Sequence, residues 1–423
     1  MIAVRKHNFK YDLIVLLLVY STDTFLVFSN VSKFPRTVFQ VILLGIMVFS
    51  ILKTLHVRLD RLVVYLLMIV PVIGCIIVNK DFSGGNIIKI FMLTLGLCIT
   101  EYLPFDLFSE SFYRIMCFLA IFSLFTYAFS PLLIKASSVL PVIINTSNTK
   151  VVFLVFSNVT IKSGLPRNAG PFWEPGVFSI YLNLALALHL KAGNKLNFKD
   201  LLIAIAVLTT FSTAGIAVLA VVVFDFTFAQ RYKEFHITKK TKSRIKIAVI
   251  LVMILVIVVL FSNVEFRNMI IGKLNRSDVR FASTKARLNS ILINIKIWAS
   301  RPLFGVGASQ LSDIYINIAK QNGTIDFSNT NGLLMHFSLY GIIEGVVLVY
   351  CLIKFAWKIR FNQFSRLMVL LVLLMMLFSE PLVTSVLINV IIFYAIPNLP
   401  KNQVVTRIDL TTPKEGTLFY ENN

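Results

Sequence analysis

Two segments of the chain carry arginine and carboxylate side chains at spacings that suit chemistry on an anion. The first segment, residues 166–176, contains Arg167 and Glu174 among three prolines and two glycines. Proline is favoured at the first position of a helix, so this segment predicts a helix that starts at Pro175. Arg167 and Glu174 would then lie at the mouth of that helix, where an arginine can bind phosphate and a carboxylate can act as a base. A plain turn with a surface arginine and an acidic helix cap is the alternative.

The second segment contains three arginines, Arg276, Arg280 and Arg287. On a helix that begins near 277 and ends near 299, their spacing places them on one face. Guanidinium groups bind phosphate oxygens in pairs, so this stripe suits a phosphate ligand. Another flank of the helix is apolar, which predicts an amphipathic helix lying at a membrane surface. Simple anchoring to anionic lipid head groups is the alternative.

Other polar residues and glycines lie next to apolar stretches. Asn331 precedes one such stretch, His336 lies about one turn inside it, and Glu380 lies in the turn between the last two. We interpret His336 as a polar packing residue rather than a catalyst. Gly305 and Gly307 allow a tight turn in which backbone N–H groups approach an anion closely, although a plain turn explains the same pattern.

The composition limits the kind of protein that can hold these residues. The chain has 423 residues, of which 57% are hydrophobic and only 14% are charged, against about 25% in soluble domains. Its 41 basic and 20 acidic residues give a formal net charge of +21. This composition excludes a soluble globular enzyme, a disordered chain and a secreted disulfide scaffold. A basic chain can bind nucleic acid, but a chain this apolar cannot remain in water. The four cysteines show no spacing typical of disulfides or metal ligands, so we predict neither.

The apolar stretches predict an all-α polytopic membrane protein with about twelve transmembrane helices. A helix needs roughly 20 apolar residues to cross a bilayer. Residues 200–229 are interrupted by small polar residues near 210–215, which predicts two short helices instead of one crossing. The other predicted spans are 11–29, 36–52, 61–79, 86–102, 111–133, 175–190, 247–264, 332–353, 367–379 and 382–396.

These spans divide the chain into six regions and predict on which side of the membrane each loop lies. The regions are an N-terminal five-span bundle (1–133), a first long external loop (134–174), central spans with the broken helix pair (175–264), a second long external loop with the amphipathic helix (265–331), C-terminal spans (332–396) and a cytoplasmic tail (397–423). With twelve spans, 24 of the 41 basic residues fall on the side of both termini. The positive-inside rule therefore predicts that both termini are cytoplasmic.

The order of these motifs resembles the O-antigen polymerase and ligase superfamily, that is, Wzy-type polymerases and their ligase relatives. The resemblance covers residues 160–350 and the hydropathy profile of the whole chain. It rests on the run from Arg167 to Gly176, the break at 212–215, Arg287 with Trp298, the turn from Pro302 to Gly307, and Asn331 with Gly341.

The resemblance implies a glycosyltransferase of the bacterial cytoplasmic membrane that works at the outer face. Its donor and acceptor would be oligosaccharides linked to undecaprenyl diphosphate, and it would use neither a metal nor another cofactor. Membrane lipid and a chain-length regulator protein are the implied partners. Ligase relatives carry a histidine where this chain has Thr330, and they favour a Gly-xx-Gly pattern where it has Gly341-xxx-Gly345. Both departures favour polymerisation of repeat units into O-antigen or capsule.

The expected roles follow from the reaction. The leaving diphosphate needs fixed cations, which Arg276, Arg280 and Arg287 would supply. Glu174 is the expected base, with Arg167 as its catalytic partner. Asn331, His336 and Glu380 are further candidates. An O-antigen-type ligase and a lipid-linked oligosaccharide flippase are the alternative functions. The flippase is disfavoured because the sequence predicts few charges within the membrane.

Overall fold

The computed structural model describes most of the predicted bundle. The described residues are 9–27, 57–144, 150–161, 166–191, 196–228, 281–323, 327–359 and 363–396, with a few single residues within 45–49 and 247–275. Almost all of the predicted spans 36–52 and 247–264 lies outside these residues. Arg276, Arg280 and the tail at 397–423 also lie outside them.

The described residues are mostly helical. The helices are α1 (Phe9–Thr22), α2 (Leu59–Asn79), α3 (Gly84–Tyr102), α4 (Phe105–Ala128), α5 (Ser130–Lys135), α6 (Pro175–Lys191), α7 (Phe198–Thr209), α8 (Thr213–Phe228), α9 (Phe281–Ser300), α10 (Ala308–Gln321), α11 (Gly332–Ile359), α12 (Gln363–Ser379) and α13 (Val386–Tyr394). A short 3-10 turn follows α5 at Ala136–Ser138.

Four of these helices, α2, α3, α4 and α11, are long and apolar enough to cross a membrane. Shorter apolar helices lie at Pro175–Leu190, Thr213–Phe228 and Gln363–Ser379. These helices support a multi-pass membrane protein. The total of twelve spans stays a prediction.

The prediction of an all-α fold is wrong for the first long loop. Strands β1 (Val142–Ile144), β2 (Lys150–Leu154) and β3 (Ser157–Thr160) form an antiparallel sheet in the order β1-β2-β3. Val142 pairs with Val152, and Val151 pairs with Thr160. Valine, isoleucine and threonine favour strands, and this run is rich in them. The sheet packs with β3 against α4.

Helices α6 and α13 form the centre of the bundle. Every residue of α13 is buried, as are nearly all residues from Gly176 to Leu190 in α6. A helix that is apolar on all sides avoids water on all sides, either in a protein core or in a membrane. Accordingly, α6 packs against α4, α7, α8 and α12, whereas α13 packs against α3 and α11.

Helices α2 and α9 expose apolar side chains at the surface of the described bundle. On α2 these are Leu66, Leu67, Val70, Ile73 and Ile77. On α9, Leu288, Leu292 and Ile295 form the predicted apolar flank, and all three are exposed. Contiguous exposed apolar surface of this kind suits lipid contact.

The predicted break near 210–215 is confirmed. Helix α7 ends at Thr209 and α8 begins at Thr213, with Phe211 in the left-handed region at φ 48°. Thr210 provides hydrogen bonds to two backbone groups of this turn. Its hydroxyl donates to the Val207 carbonyl and accepts from the Ser212 N–H. Two short helices therefore meet at this polar turn.

A second break lies at Gly341, within the predicted span 332–353. The prediction of one continuous span there is wrong. Gly341 has φ 83° and interrupts α11. The turn after α9 packs into this break, since the Ile342 N–H donates to the Pro302 carbonyl at 2.8 Å and the Val306 N–H donates to the Ser338 carbonyl at 2.9 Å. A side chain at Gly305 would overlap the backbone of Leu339. The glycines of this turn therefore allow it to approach α11 closely.

Candidate active site

The N-terminus of α6 brings two acidic residues into the same region. Helix α6 begins at Pro175 as predicted, with Glu174 directly before it. Gly176, in the first turn, lies against the carboxylate of Glu380, and a Cβ atom at this position would overlap the Glu380 Oε1 atom. Glu380 itself is only 5% exposed. Glycine at 176 therefore allows the buried Glu380 side chain to lie beside the start of α6.

Arg167 is anchored to the break between α7 and α8. Its Nε donates to the Thr210 carbonyl at 2.9 Å. The next residue, Asn168, donates from its backbone N–H to the Thr209 carbonyl at 3.0 Å and from its side chain to the Thr209 hydroxyl at 3.0 Å. The terminal nitrogens of Arg167 form no hydrogen bond with the described residues. A guanidinium group can bind phosphate oxygens through these nitrogens.

The two acids and two arginines form one cluster. Burial raises the pKa of Glu380 well above its ordinary value, and the nearby Glu174 raises it further, whereas Arg287 and Arg167 act in the opposite direction. Burial lowers the pKa of Arg167, and the same two acids oppose that shift. Such mutual influence requires the groups to lie near one another. We call Arg167, Glu174, Arg287 and Glu380 the four-charge cluster.

Helix α9 supplies Arg287 and is held in place by polar contacts with α11. The Ser338 hydroxyl donates to the Asn294 carbonyl at 2.9 Å, and the Asn294 side chain donates to the Asn329 side chain at 2.9 Å. The Arg287 Nε is buried and has no hydrogen-bond partner among the described residues. Buried polar atoms are nearly always hydrogen-bonded, and a guanidinium donor suits an anionic ligand.

Polar atoms at the start of α11 are also unsatisfied. The Asn331 Oδ1 accepts from the Leu334 N–H at 2.9 Å and so caps the helix, but its Nδ2 is buried without a partner in the part of the chain that the structure describes. The same is true of the Thr330 hydroxyl. Gly332, which follows, lies against the backbone of Glu380 and Leu382. Asn331 and Thr330 therefore lie on the segment that borders the four-charge cluster.

A separate group of buried charges lies between helices α3 and α11. The prediction of few charges within the apolar helices is therefore wrong, and it no longer counts against a flippase. His336, Glu344 and Lys89 are all 0% exposed, and we call them the buried triad. The Glu344 carboxylate is 2.8 Å from the His336 Nδ1 and 3.0 Å from the Lys89 Nζ. The predicted packing role of His336 agrees with this geometry. Lys89 and Glu344 could have been found in the sequence, because isolated charges in apolar stretches mark functional or paired sites.

Of the predicted site residues, the structure brings Arg167, Glu174, Arg287 and Glu380 together. Asn331 lies beside this cluster, and His336 belongs to the buried triad instead. The cluster combines cations that can bind phosphate with a buried carboxylate whose pKa is raised. A raised pKa brings a carboxylate closer to the range in which a general base works well. The arrangement therefore suits proton abstraction beside a phosphate group.

Comparison with known families adds independent support. Residues 200–339 match the family model Wzy_C, described as O-antigen ligase. The matched region, about a third of the chain, contains the break at 210–215, Arg287 and Asn331. No curated protein matches the chain. Together with the apolar helices, the match supports a multi-pass bacterial membrane enzyme of the O-antigen ligase and polymerase superfamily, and it does not distinguish these two activities.

Proposed function

We propose that the protein is a membrane glycosyltransferase that moves an oligosaccharide from undecaprenyl diphosphate to a sugar hydroxyl. The observation that carries this proposal is the four-charge cluster. Two arginines, of which Arg287 has a buried Nε without a partner among the described residues, and two acids influence one another from segments far apart in the chain. A diphosphate leaving group and an acceptor hydroxyl need these two kinds of residue together.

In the proposed reaction, the arginines bind the diphosphate. Arg287 and Arg167 neutralise the negative charge that develops as the bond between the anomeric carbon and the diphosphate oxygen breaks. Fixed cations in a site that excludes water stabilise such charge strongly. The lipid diphosphate leaves with the bonding electron pair.

Glu380 is the general base in this proposal. The acceptor hydroxyl oxygen attacks the anomeric carbon, and its proton passes to the Glu380 carboxylate. Burial raises the pKa of Glu380, which strengthens it as a base. The N-terminus of α6 stabilises the anion of Glu174 and so weakens that residue as a base. In this proposal Glu174 instead interacts electrostatically with Arg167 and raises the pKa of Glu380. The role of Glu174 as the base stays a prediction from the sequence.

Polymerisation is the preferred form of this reaction. Both substrates would be lipid-linked repeat units, and the product would be a longer lipid-linked chain of O-antigen or capsule. Thr330 stands where the ligase relatives carry histidine. In the structure its hydroxyl has no partner among the described residues, and a hydroxyl at this position can bind a substrate but is a poor base.

Ligation is the second candidate function. The observation that favours it is the family match, whose description names O-antigen ligase. A ligase would use the same donor and the same arginines, but its acceptor would be a lipopolysaccharide core. The two activities therefore differ in the acceptor and not in the chemistry at the cluster.

A reconstituted assay tests both candidates. Lipid-linked repeat units that accumulate in cells lacking the protein would be given to the purified protein in nanodiscs, with a chelator and no nucleotide. We expect a ladder of longer lipid-linked chains. A single transfer to added lipopolysaccharide core, without a ladder, would replace polymerisation by ligation. Movement of the substrate across a vesicle membrane without a new glycosidic bond would contradict both and indicate a flippase.

A matched pair of variants tests the site in the same assay. Arg287→Ala removes a cation from the four-charge cluster, whereas Lys285→Ala removes one from the same helix outside it. Lys285 donates to the Gly323 carbonyl at 2.8 Å. We expect loss of transfer only in Arg287→Ala. Equal activity of the two variants would remove Arg287 from the proposed mechanism.

A further inference from the structure

The residue after α1, Asp23, is a buried acid that does not belong to the four-charge cluster. It is 3% exposed. Its Oδ2 atom accepts hydrogen bonds from the hydroxyls of Ser385 at 2.5 Å, Thr22 at 3.1 Å and Tyr181. No basic side chain pairs with Asp23 in the part of the chain that the structure describes. A buried carboxylate needs hydrogen-bond partners, and hydroxyl groups supply them here.

The three hydroxyl partners come from three different elements. Thr22 is the last residue of α1, Tyr181 lies in α6, and Ser385 directly precedes α13. The hydroxyl oxygens of Tyr181 and Ser385 are 3.3 Å apart. The Ser385 side chain does not cap α13, so it binds Asp23 instead of its own helix. Asp23 therefore joins α1, α6 and the turn before α13 at one point.

This point is one end of a longer contact between α6 and the turn at 380–385. At the other end, the Glu380 carboxylate lies against Gly176. Tyr181 follows Gly176 by five residues, which is about 7.5 Å along a helix. The turn therefore runs beside the start of α6, with Glu380 at one end and Ser385 at the other.

Hydrogen bonds within the turn connect its two ends. The Leu382 N–H donates to the Glu380 carbonyl at 3.0 Å, and the Ser385 N–H donates to the Leu382 carbonyl at 3.2 Å. A displacement of Ser385 would therefore also displace Glu380.

The residues after Asp23 bind the loop that carries the other acid of the cluster. Thr24 forms an antiparallel bridge with Phe172. The Phe25 N–H donates to the Pro171 carbonyl at 2.8 Å. This loop leads directly into Glu174 and α6. The segment around Asp23 is thus attached to both acidic parts of the cluster.

From these contacts we propose that Asp23 is a positioning residue that sets the distance between Glu174 and Glu380. This inference rests on the proposed function. The carboxylate of Asp23 binds the turn that carries Glu380, and the backbone after Asp23 binds the loop that carries Glu174. A small misplacement of a reacting group slows an enzymatic reaction strongly, even when the altered residue does not touch the substrate.

Asp23→Leu tests the proposal, because leucine has similar branching but accepts no hydrogen bond. Asp23→Asn is the conservative variant, since its amide oxygen still accepts. The matched control is Asp225→Leu. Asp225 is also a buried aspartate, 5% exposed, that accepts from a serine hydroxyl, Ser365. It follows the first residue of α8 by twelve residues, about 18 Å along the helix.

The transfer assay with lipid-linked repeat units measures the first effect. We expect Asp23→Leu to lower kcat by about 10- to 10²-fold and to leave KM nearly unchanged, because the acids are misplaced while the arginines still bind the donor. Asp23→Asn should recover most of kcat, and Asp225→Leu should behave as the wild type. An unchanged kcat in folded Asp23→Leu would overturn the proposal.

A second pair of variants covers the case in which Asp23→Leu does not fold. Ser385→Ala removes one of the three hydroxyl donors and should lower kcat by a few fold. Ser379→Ala is its control, because the Ser379 hydroxyl bonds within its own helix, to the Met376 carbonyl at 3.0 Å. Equal kcat in these two variants would contradict the proposal.

The electrostatic coupling between the two acids gives a readout that a purely structural role of Asp23 would not change. Infrared difference spectroscopy can follow the titration of the Glu380 carboxyl, with Glu380→Gln to identify its band. Glu174→Gln should lower the pKa of Glu380, because Glu174 raises it. We expect this shift to be much smaller in the Asp23→Leu background. A shift of the same size in both backgrounds would show that Asp23 supports only the fold.

The infrared titration needs no transfer, so it separates this inference from the proposed function. If the wild type transfers glycan but Asp23→Leu changes neither kcat nor the shift, only the positioning role fails. If the wild type transfers nothing and Asp23→Leu still reduces the shift, Asp23 sets the distance between the acids and the proposed function fails.

Discussion

The four-charge cluster and the buried triad contain similar charged side chains. They differ in whether those side chains have hydrogen-bond or ion-pair partners within the protein. In the triad, Glu344 contacts both His336 and Lys89 directly, and all three residues are completely buried. In the cluster, the buried Arg287 Nε has no partner among the described residues, and only Glu380 is buried to a similar degree. We infer that the mutually satisfied charges of the triad have a structural role, because removing one partner of a buried ion pair is destabilising, whereas the unpartnered Arg287 donor suits a ligand.

The positions of the two groups support this distinction. The triad connects α3 with both halves of the broken helix α11, and Lys89 also donates to the Val383 carbonyl at 3.2 Å. Each cluster residue except Arg287 lies outside the regular helices, at a helix end or in a turn. Turns and helix ends are where binding residues commonly lie on a rigid scaffold. The triad can therefore support the scaffold from which the cluster projects.

The largest expected effect is on stability, and it comes from the triad. Lys89→Met would leave Glu344 without its cation in a buried site. Removing one partner of a buried ion pair costs about 3–5 kcal/mol. Denaturant or thermal unfolding in nanodiscs would measure this loss. The double variant Lys89→Met/Glu344→Gln should recover much of it, and a single variant as stable as the wild type would show that the triad does not support the fold.

Arg287→Ala should instead reduce transfer strongly and change stability little. We expect transfer to fall by about 10²–10³-fold, as on removal of one group that stabilises a developing anion. The free energy of unfolding should change little, because no hydrogen bond of the Arg287 side chain to the described residues is lost. Steady-state kinetics and unfolding of the same preparation would test both halves. A large loss of stability with unchanged transfer would show that Arg287, like the triad, has a structural role and not a functional one.

The pH dependence of transfer tests the coupling inside the cluster. If Glu380 is the base, transfer is lost as the pH falls through its raised pKa. The acidic limb of the pH–rate profile should therefore lie at a higher pH than the pKa of an ordinary glutamate. Glu174→Gln removes a negative charge that raises this pKa, so the limb should move to lower pH. Because burial is the larger cause, the limb should remain above the ordinary range. A limb that moves upward or does not move would contradict the assignment of Glu380.

The same shift makes a prediction for stability. A carboxyl with a raised pKa binds its proton more tightly in the folded state than in the unfolded state. The contribution of Glu380 to stability is therefore present at low pH and is lost as the pH rises from the ordinary carboxyl pKa to the raised one. Glu380→Gln, which mimics the protonated form, should remove this part of the pH dependence. An unchanged profile in that variant would assign the dependence to another group.

Local features of the fold could be predicted from the sequence, because local chemistry determines them. The start of α6 follows from Pro175, the break between α7 and α8 from the small polar residues near 210–215, and the end of α9 from the turn at Pro302. The sheet was missed because its strands are short and were counted as part of a long loop. The break at Gly341 was missed because glycine pairs in apolar helices usually mark packing faces.

The contacts that build the site could not be predicted, because they join residues far apart in the chain. Arg167 bonds to Thr210, and Gly176 contacts Glu380 more than 200 residues later. A motif shows which residues could do chemistry but not which of them meet. The sequence named Arg167, Glu174, Arg287 and Glu380 as candidates, and their roles stay predictions. It ranked Glu174 above Glu380 because burial and proximity were unknown.

The smallest expected effect belongs to a third charged group, which is paired and partly exposed. Arg114 bonds to Asp12 at 2.7 Å and to Glu110 at 2.7 Å, and its side chain is 28% exposed. Partly exposed ion pairs contribute about 1 kcal/mol or less. Arg114→Ala should therefore lower the free energy of unfolding slightly and leave transfer unchanged. A loss of transfer comparable to that of Arg287→Ala would mean that pairing does not separate structural charges from functional ones in this protein.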